Sequence, residues 1–440
     1  MRVAITTFLL RSSTNNMTKF QDSSSEATVQ NTLSPTAYRF RLQDFLVGAQ
    51  MLFVAFGALV LVPILAGLNP NVALFTSGLG TLCFQLVTGG KVPVYLASSF
   101  AFIAPISFSV EKYGLPATLS GLAAAGVLYL VLSLMIFWRG SAIVIRILPS
   151  IVTGPVIMVI GLGLAPTAVK MASEARVGYS EAIAIGIATV SLLATMLTAI
   201  LARGFLRLIP ILVGIVAGYL VSLPLGLVNF TTVGQAPWLE IPSFTTPSFH
   251  LPAILFILPV AIAPAIEHIG DVLAISSVTG NNFLRDPGIH RTLLGDGLAT
   301  TLAAFLGGPP NTTYSEVTGA VALTKAFNPA IMTWSALTAI LLSFFGKLGA
   351  ILQTIPVPVM GGILIILFGT IVVIGMNSMI QAEEDLLQPR NLAIVGAILM
   401  LGVGGMSVKA GAFALEGIGL SSIVGVLLNL LLPKGAKHQV

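Results

Sequence analysis

The chain has 440 residues, 56% of them hydrophobic and only 8% charged, against roughly 25% charged in soluble domains. That balance excludes a soluble enzyme or a disordered chain and specifies an all-α polytopic membrane protein. The single Cys83 excludes an intrachain disulfide, the four histidines show no metal-ligand spacing, and the net charge of +5 is scattered over loops, so neither a metal site nor a nucleic-acid surface is expected.

Residues 1–42 are rich in Ser, Thr, Asn and Gln without periodicity and read as a disordered cytoplasmic tail, in which Met17 is an alternative start. The stretch Val3–Leu10 is too short, and lacks the following small-residue site, for a signal peptide. From Phe45 about 14 apolar segments follow, approximately 45–66, 71–88, 92–108, 115–138, 142–165, 181–202, 208–226, 251–278, 290–306, 310–325, 330–346, 350–376, 392–408 and 413–432. A cytoplasmic N-terminus puts Arg139, Arg203, Arg207, Arg285, Arg291, Arg390 and Lys434 inside and leaves Lys112, Lys170, Arg176, Lys347 and Lys409 outside. This asymmetry obeys the positive-inside rule and places both termini in the cytoplasm. The stretch 228–250, with Trp238 and no Lys or Arg, fits an external loop.

The chain also resembles itself. Leu148-Pro149-Ser150-Ile151-Val152-Thr153-Gly154 aligns with Ile355-Pro356-Val357-Pro358-Val359-Met360-Gly361, and the same offset brings Gly218 onto Gly425. An offset of seven spans inverts the second copy, giving 7+7 inverted repeats with a ligand site near the midplane, where discontinuous helices meet. Spans 3 and 10 carry the candidate discontinuities. Lys91–Phe102 is β-prone and holds Ser98 and Ser99 as possible caps; Asn311-Thr312-Thr313-Tyr314 is extended in character, with Ser315 as the cap of a helix opening at Glu316. Two short extended segments at this depth satisfy each other by pairing across the pseudo-two-fold axis, and their half-helices aim free N–H groups, at Phe100 and Ser315, towards one point.

Two acids lie in these apolar surroundings. Glu267 follows the uncharged run Leu251–Ile266 and Glu316 closes the segment Pro309–Ser315. A carboxylate at the bilayer centre costs about 3 kcal/mol on insertion scales and survives facing a cavity or a partner, so both are candidate ligand groups. Asp271 shares a helix face with Glu267 at i+4, with Gly270 allowing close approach. It is one turn nearer the cytoplasm, a candidate pathway residue. His268 lies about 100° round the helix and faces a neighbouring one. Asp296, between two glycines, reads as an interhelical hydrogen-bonding residue.

These residues carry a resemblance. Glu267-His268-Ile269-Gly270-Asp271, Arg285-Asp286-Pro287-Gly288-Ile289-His290-Arg291 and Pro310-Asn311-Thr312-Thr313-Tyr314-Ser315-Glu316 look like the nucleobase/ascorbate transporters, nearest the branch of bacterial uracil:proton symporters. Gln50, Phe56–Pro63, Ser98–Phe102 and Pro356–Gly362 support it, over about residues 43–432. The resemblance implies a core domain (43–139 and 251–347) rocking against a gate domain (140–250 and 348–440), a homodimer in the lipid of the inner membrane, and a nucleobase as the small-molecule partner. It implies a substrate site at Glu267, Glu316, Phe100, Ser315 and Tyr314, supported by Gln50, Met51, Gly270, Asn311 and Asp296. Glu267, Glu316 and Asp271 are the implied proton-coupling residues, with the proton as coupling ion and no other cofactor.

Some positions depart from the family pattern. Met51 replaces a histidine, Ser315 a glycine and Val317 an asparagine, and Asp271 and Asp296 also match purine and xanthine branches. Uracil leads and xanthine or another oxo-base stays open. An ionised carboxylate only accepts hydrogen bonds, whereas a protonated one also donates, matching the alternating N–H and C=O edge of a pyrimidine-dione. The other classes weighed are an anion channel on the same architecture, which the two acids disfavour, a non-transporting base sensor, and a membrane enzyme, for which no nucleophile or metal set such as His-Glu-x-x-His is present.

Overall fold

Proline, glycine and asparagine punctuate a chain that is otherwise one apolar helix after another. The computed structural model describes residues 36–140, 149–175, 178–381, 385–410 and 413–433. The expected tail up to residue 35 lies outside the described residues, as does Lys434. Helices α1 (Phe45–Ala66), α2 (Pro70–Thr88), α3 (Ile103–Tyr113), α4 (Leu115–Arg139), α5 (Ser150–Ser173), α6 (Glu181–Leu201) and α7 (Pro210–Ser222) make the first half. Helices α8 (Leu251–Ile257), α9 (Ile262–Thr279), α10 (Ile289–Phe305), α11 (Ser315–Thr324), α12 (Ala330–Ser343), α13 (Gly346–Gln353), α14 (Val357–Gln381), α15 (Pro389–Val403) and α16 (Gly417–Leu431) make the second. The start of α2 shows how local the boundaries are: Pro70 sits at N1, and the Asn69 side chain accepts from the amides of Asn71 (2.8 Å) and Val72 (3.4 Å).

Among the described residues, seven helical segments are long and apolar enough to cross a membrane: α1, α2, α4, α5, α6, the α8–α9 unit and α14. An eighth counts if α12 and α13, bent by 84°, are one span. The remaining expected segments are shorter. Helices α7, α15 and α16 are apolar but under 18 residues, and the segments 92–108 and 310–325 are each a strand followed by a short helix. The expected run 350–376 is broken: α13 stops at Gln353 and α14 starts at Val357, because Pro356 has no N–H to continue a helix and Pro358 fits the first turn of the next. The expected 413–432 segment also splits, with strand β4 (Phe413–Glu416) pairing with β3 (Ser407–Ala410) before α16 begins.

The helices pack in two groups. In one, α2 lies against α10 and α12, α4 against α10, and α1 against α12. In the other, α14 lies against α5 and α6, α6 against α7, and α15 and α16 against α5 and each other. Small residues set the closest approaches. A Cβ on Gly126 of α4 would fall 2.8 Å from the Gly297 carbonyl oxygen of α10, and one on Gly362 of α14 would fall 2.1 Å from the carbonyl oxygen of Ala188 in α6.

The last residues of the expected tail are held. The Arg39 amide donates to Asn328 Oδ1 (3.1 Å), Asn328 Nδ2 donates to the Arg39 carbonyl (2.8 Å), and Trp334 Nε1 donates to the Arg41 carbonyl (2.9 Å). The Phe40 ring stacks on Trp334 at 4.5 Å. A backbone strap therefore ties the approach to α1 onto the start of α12.

Candidate functional site

Strands β1 (Leu96–Ser98) and β2 (Asn311–Thr313) pair antiparallel, with Leu96 opposite Thr313 and Ser98 opposite Asn311. The Ser99 amide donates to the Pro310 carbonyl (2.9 Å) and the Tyr314 amide to that of Tyr95 (3.2 Å), extending the ladder at both ends. Non-helical backbone inside a membrane protein is tolerated when every polar group finds a partner within the protein. The Thr, Ser and Asn residues that interrupt the apolar pattern supply those partners. Thr81 Oγ1 accepts from the Leu96 amide (3.0 Å), Thr300 Oγ1 donates to the Asn311 carbonyl (2.9 Å), and Tyr314 Oη donates to that of Ser98 (2.6 Å). Asn311 itself binds the Thr76 carbonyl through Nδ2 at 3.0 Å.

Each strand turns directly into a helix. After β1 a single 3₁₀ turn, Phe100–Phe102, leads into α3; after β2, α11 begins at Ser315. The capping differs from expectation. Ser99 sits at the cap position without a side-chain capping bond, and Ser98 Oγ donates to the Leu59 carbonyl instead (3.2 Å). Tyr314, not Ser315, is the cap residue of α11. Ser315 is the first helical residue, and its hydroxyl donates to Asp271 Oδ1 (2.5 Å), a carboxylate being a stronger acceptor than the neutral alternatives.

A cavity of about 200 Å³ lies where the two half-helices begin. One wall is Phe100, Thr312, Thr313, Tyr314, Ser315 and Glu316 with Glu267 of α9; the other is Leu367, Thr370, Ile371 and Ile374 of α14. Its charged side chains are the two glutamates, with no Lys, Arg or His in the lining. Phe100 and Tyr314 lie nearly parallel (19°) with ring centroids 6.4 Å apart, a geometry that offers a planar ligand apolar faces beside acidic acceptors. The N-terminus of α11 opens at the same end, where the Glu316 amide bonds its own carboxyl group. A second cavity of about 340 Å³, bordered by Phe108, Leu164, Phe256, Pro259, Val260 and Ile418, is larger but holds no ionisable side chain. Convergent polar groups, rather than volume, mark the first as the candidate site.

Glu267, Glu316, Phe100, Ser315 and Tyr314 thus meet in one cavity. Asp271 does not line it. The carboxylate is 5% exposed and accepts from Ser315 Oγ and, at 2.9 Å, from Thr313 Oγ1, so it ties α9 to the start of α11 from behind the cavity wall. Asp296 and His268 are buried partners, Oδ2 to Nδ1 at 2.9 Å, and His268 Nε2 lies 3.0 Å from Thr292 Oγ1. His268 therefore joins α9 to α10. Gln50 and Met51 lie outside the lining, Met51 fully buried in the apolar core. Gly270 does not mediate a close approach: a Cβ there would meet nothing within 4 Å, because its side of α9 faces open space. The α14 wall was not anticipated. Its positions 367, 370, 371 and 374 form one helical face, but three of the four are ordinary aliphatics in an aliphatic run. Among the described residues no group of three or more His, Cys, Asp or Glu is placed to hold a metal ion.

Residues 42–411 match the model of the Permease family. The chain belongs to that family. It is 55% identical over 396 residues to a "Probable uracil permease" of Pasteurella multocida (strain Pm70), covering 90% of this chain and 94% of that protein. It is 47% identical to a "Uracil permease" of Bacillus caldolyticus (87% and 90% covered) and 39% identical to one of Escherichia coli strain K12 (89% and 91%). Among solved structures, the transmembrane domain of the cyanobacterial bicarbonate transporter BicA superposes with a TM-score of 0.59 over 90% of this chain and 99% of that one, at 15% identity. Murine Slc26a9, an anion transporter in an inward-facing state, gives 0.63 over 97% and 74%, at 14% identity. At that identity the two structures share the fold with this chain, and the permease is a multi-pass membrane protein.

Proposed function

We propose that this permease carries nucleobases, uracil foremost, into the cell in symport with protons. The observation that carries the reading is the cavity itself: two glutamates and the N-terminal amides of a half-helix converge beside two aromatic rings, in a space of about 200 Å³. A base offers alternating N–H and C=O groups on a flat ring, which such a set matches with acceptors, donors and apolar faces at once. The names of its relatives support the substrate class. The anion carriage of the two solved structures stays with those proteins.

In this reading the fourteen segments are fourteen spans in two inverted sets of seven, crossing the inner membrane with both termini in the cytoplasm. The group built on α2, α4, α10 and α12 is the core that holds the base, and the group built on α5, α6 and α14 is the gate. Rocking of one against the other alternates access to the cavity between them. Glu267 and Glu316 bind the base and carry the coupling proton; a carboxyl group that gains a proton also gains a donor, so binding of proton and base reinforce one another. Asp271 acts on this site through Ser315 and Thr313. The chain works as a carrier rather than an enzyme, as a homodimer, and uses the proton as its one coupling ion.

The test is uptake of labelled uracil and xanthine in cells lacking base transport, with and without a protonophore, for wild type, E267Q and E316Q. Protonophore-sensitive uracil accumulation by wild type is expected. Xanthine accumulation without uracil would move the specificity, and accumulation of neither would remove the substrate assignment. A glutamine variant that still concentrates base against a gradient removes that glutamate as the obligatory proton carrier.

A further inference from the structure

We infer that Thr370 is a specificity residue of the gate wall, an acceptor-only hydroxyl that selects ligands turning an N–H towards α14. The inference rests on the base-carrier reading above and deepens it. Opposite the glutamates the cavity is closed by one face of α14, and on that face Thr370 is the single polar side chain, between Leu367, Ile371 and Ile374. Its Oγ1 donates to the Ile366 carbonyl at 2.8 Å. A hydroxyl has one hydrogen and two lone pairs. With the hydrogen committed to its own helix, what Thr370 presents to the cavity is lone pairs.

That commitment gives the two walls different selectivity. The core wall offers carboxyl groups and backbone N–H groups, and so accommodates either member of the amide edge of a base. The gate wall accommodates one kind. A ligand N–H placed against Thr370 gains a partner, whereas a ligand C=O there meets lone pairs and gains none. The three aliphatic neighbours offer no alternative donor. A base held at both walls therefore needs an N–H on the edge away from the glutamates as well as one towards them. Uracil has two ring N–H groups separated by a carbonyl, and methylation removes either one selectively.

The experiment measures labelled uracil uptake by wild type, T370V and T370S in cells lacking base transport. KM and Vmax are determined separately, and unlabelled uracil, 1-methyluracil and 3-methyluracil serve as competitors. Loss of one hydrogen bond corresponds to about a tenfold change in affinity. T370V is expected to raise the KM for uracil about tenfold with a smaller change in Vmax, and T370S to restore it. One of the two methylated bases, the one lacking the N–H aimed at Thr370, is expected to compete equally well against wild type and T370V, since two removals of one contact do not add. An unchanged KM in T370V, or equal losses for uracil and both methylated bases, overturns the inference. T370A decides the question if T370V does not reach the membrane. Wild-type protein that takes up no base removes the base-carrier reading and this inference together; wild-type uptake with an indifferent T370V removes the inference alone.

Discussion

Replacing Asp271 with alanine removes an acceptor that two hydroxyls share. Ser315 Oγ lies 2.5 Å from one carboxylate oxygen and Thr313 Oγ1 2.9 Å from the other. A hydrogen bond is worth about 1 kcal/mol between neutral groups and about 1.5–3 kcal/mol to a charged one, so the gross loss is about 2–6 kcal/mol. The two hydroxyls do not suffer equally. Ser315 borders the cavity and regains water, whereas Thr313 is 2% exposed and its other polar neighbour, His268 Nδ1 at 3.5 Å, is committed to Asp296. A net loss of about 2–3 kcal/mol is therefore expected. Expressed as substrate affinity, that is about 30- to 150-fold. D271N keeps one acceptor oxygen and is expected to fall between wild type and D271A. The assay is KM for labelled base with melting of the purified protein in detergent. D271A with a KM within about twofold of wild type would refute the positioning role. If Asp271 instead carried the coupling proton, D271N and D271A would be equally unable to concentrate base while still exchanging it.

Three further outcomes follow from the packing. Y314F removes the 2.6 Å bond to the Ser98 carbonyl that pins β1 to the start of α11; a loss of about 1–2 kcal/mol is expected, read as lower melting and weaker base binding with unchanged membrane abundance. G362A drives a Cβ to 2.1 Å from the Ala188 carbonyl oxygen; because a backbone atom must give way, a cost of about 1–3 kcal/mol is expected, and G270A, facing open space, serves as the indifferent control in the same melting assay. N328A cuts both bonds to Arg39, so it is expected to expose the strap to limited proteolysis near Arg39 and Arg41 while wild type is protected there.

Polar residues made the glutamate-bearing wall of the cavity legible. Glu267, Glu316, Thr312 and Thr313 stand out because they belong to two short polar clusters set in long apolar runs, and β-prone segments interrupting helical ones announced the paired strands. The opposite wall had no such mark. Leu367, Ile371 and Ile374 have the same chemistry as Ile365 and Val373 of the same helix, which lie outside the lining. Only contact in three dimensions separates a cavity face from the rest of an aliphatic helix. The partners of Asp271 were hidden for a related reason. Its i+4 spacing from Glu267 gives the helix face but not the two hydroxyls, from residues more than 40 positions away, that occupy its oxygens. The Pro356 break illustrates the converse, where two prolines in one short stretch argued for a repeat and concealed a helix boundary.

The β1–β2 ladder also bears on biosynthesis. Tyr314 and Ser98, which it joins, are 216 residues apart, and a chain emerging from the ribosome contains Leu96–Ser98 long before Asn311 has been translated. Until then the strand's amides and carbonyls have Thr81 and little else to bind, and each unmatched group left in hydrocarbon costs several kcal/mol. The strand consequently cannot settle in its final place when it is made. It has to wait, shielded by the helices around it, for a partner translated about 200 residues later. The candidate site is thus among the last parts of the protein to form, and an insertion fault in the second half leaves the first half with an unpaired strand as well as the protein without that cavity.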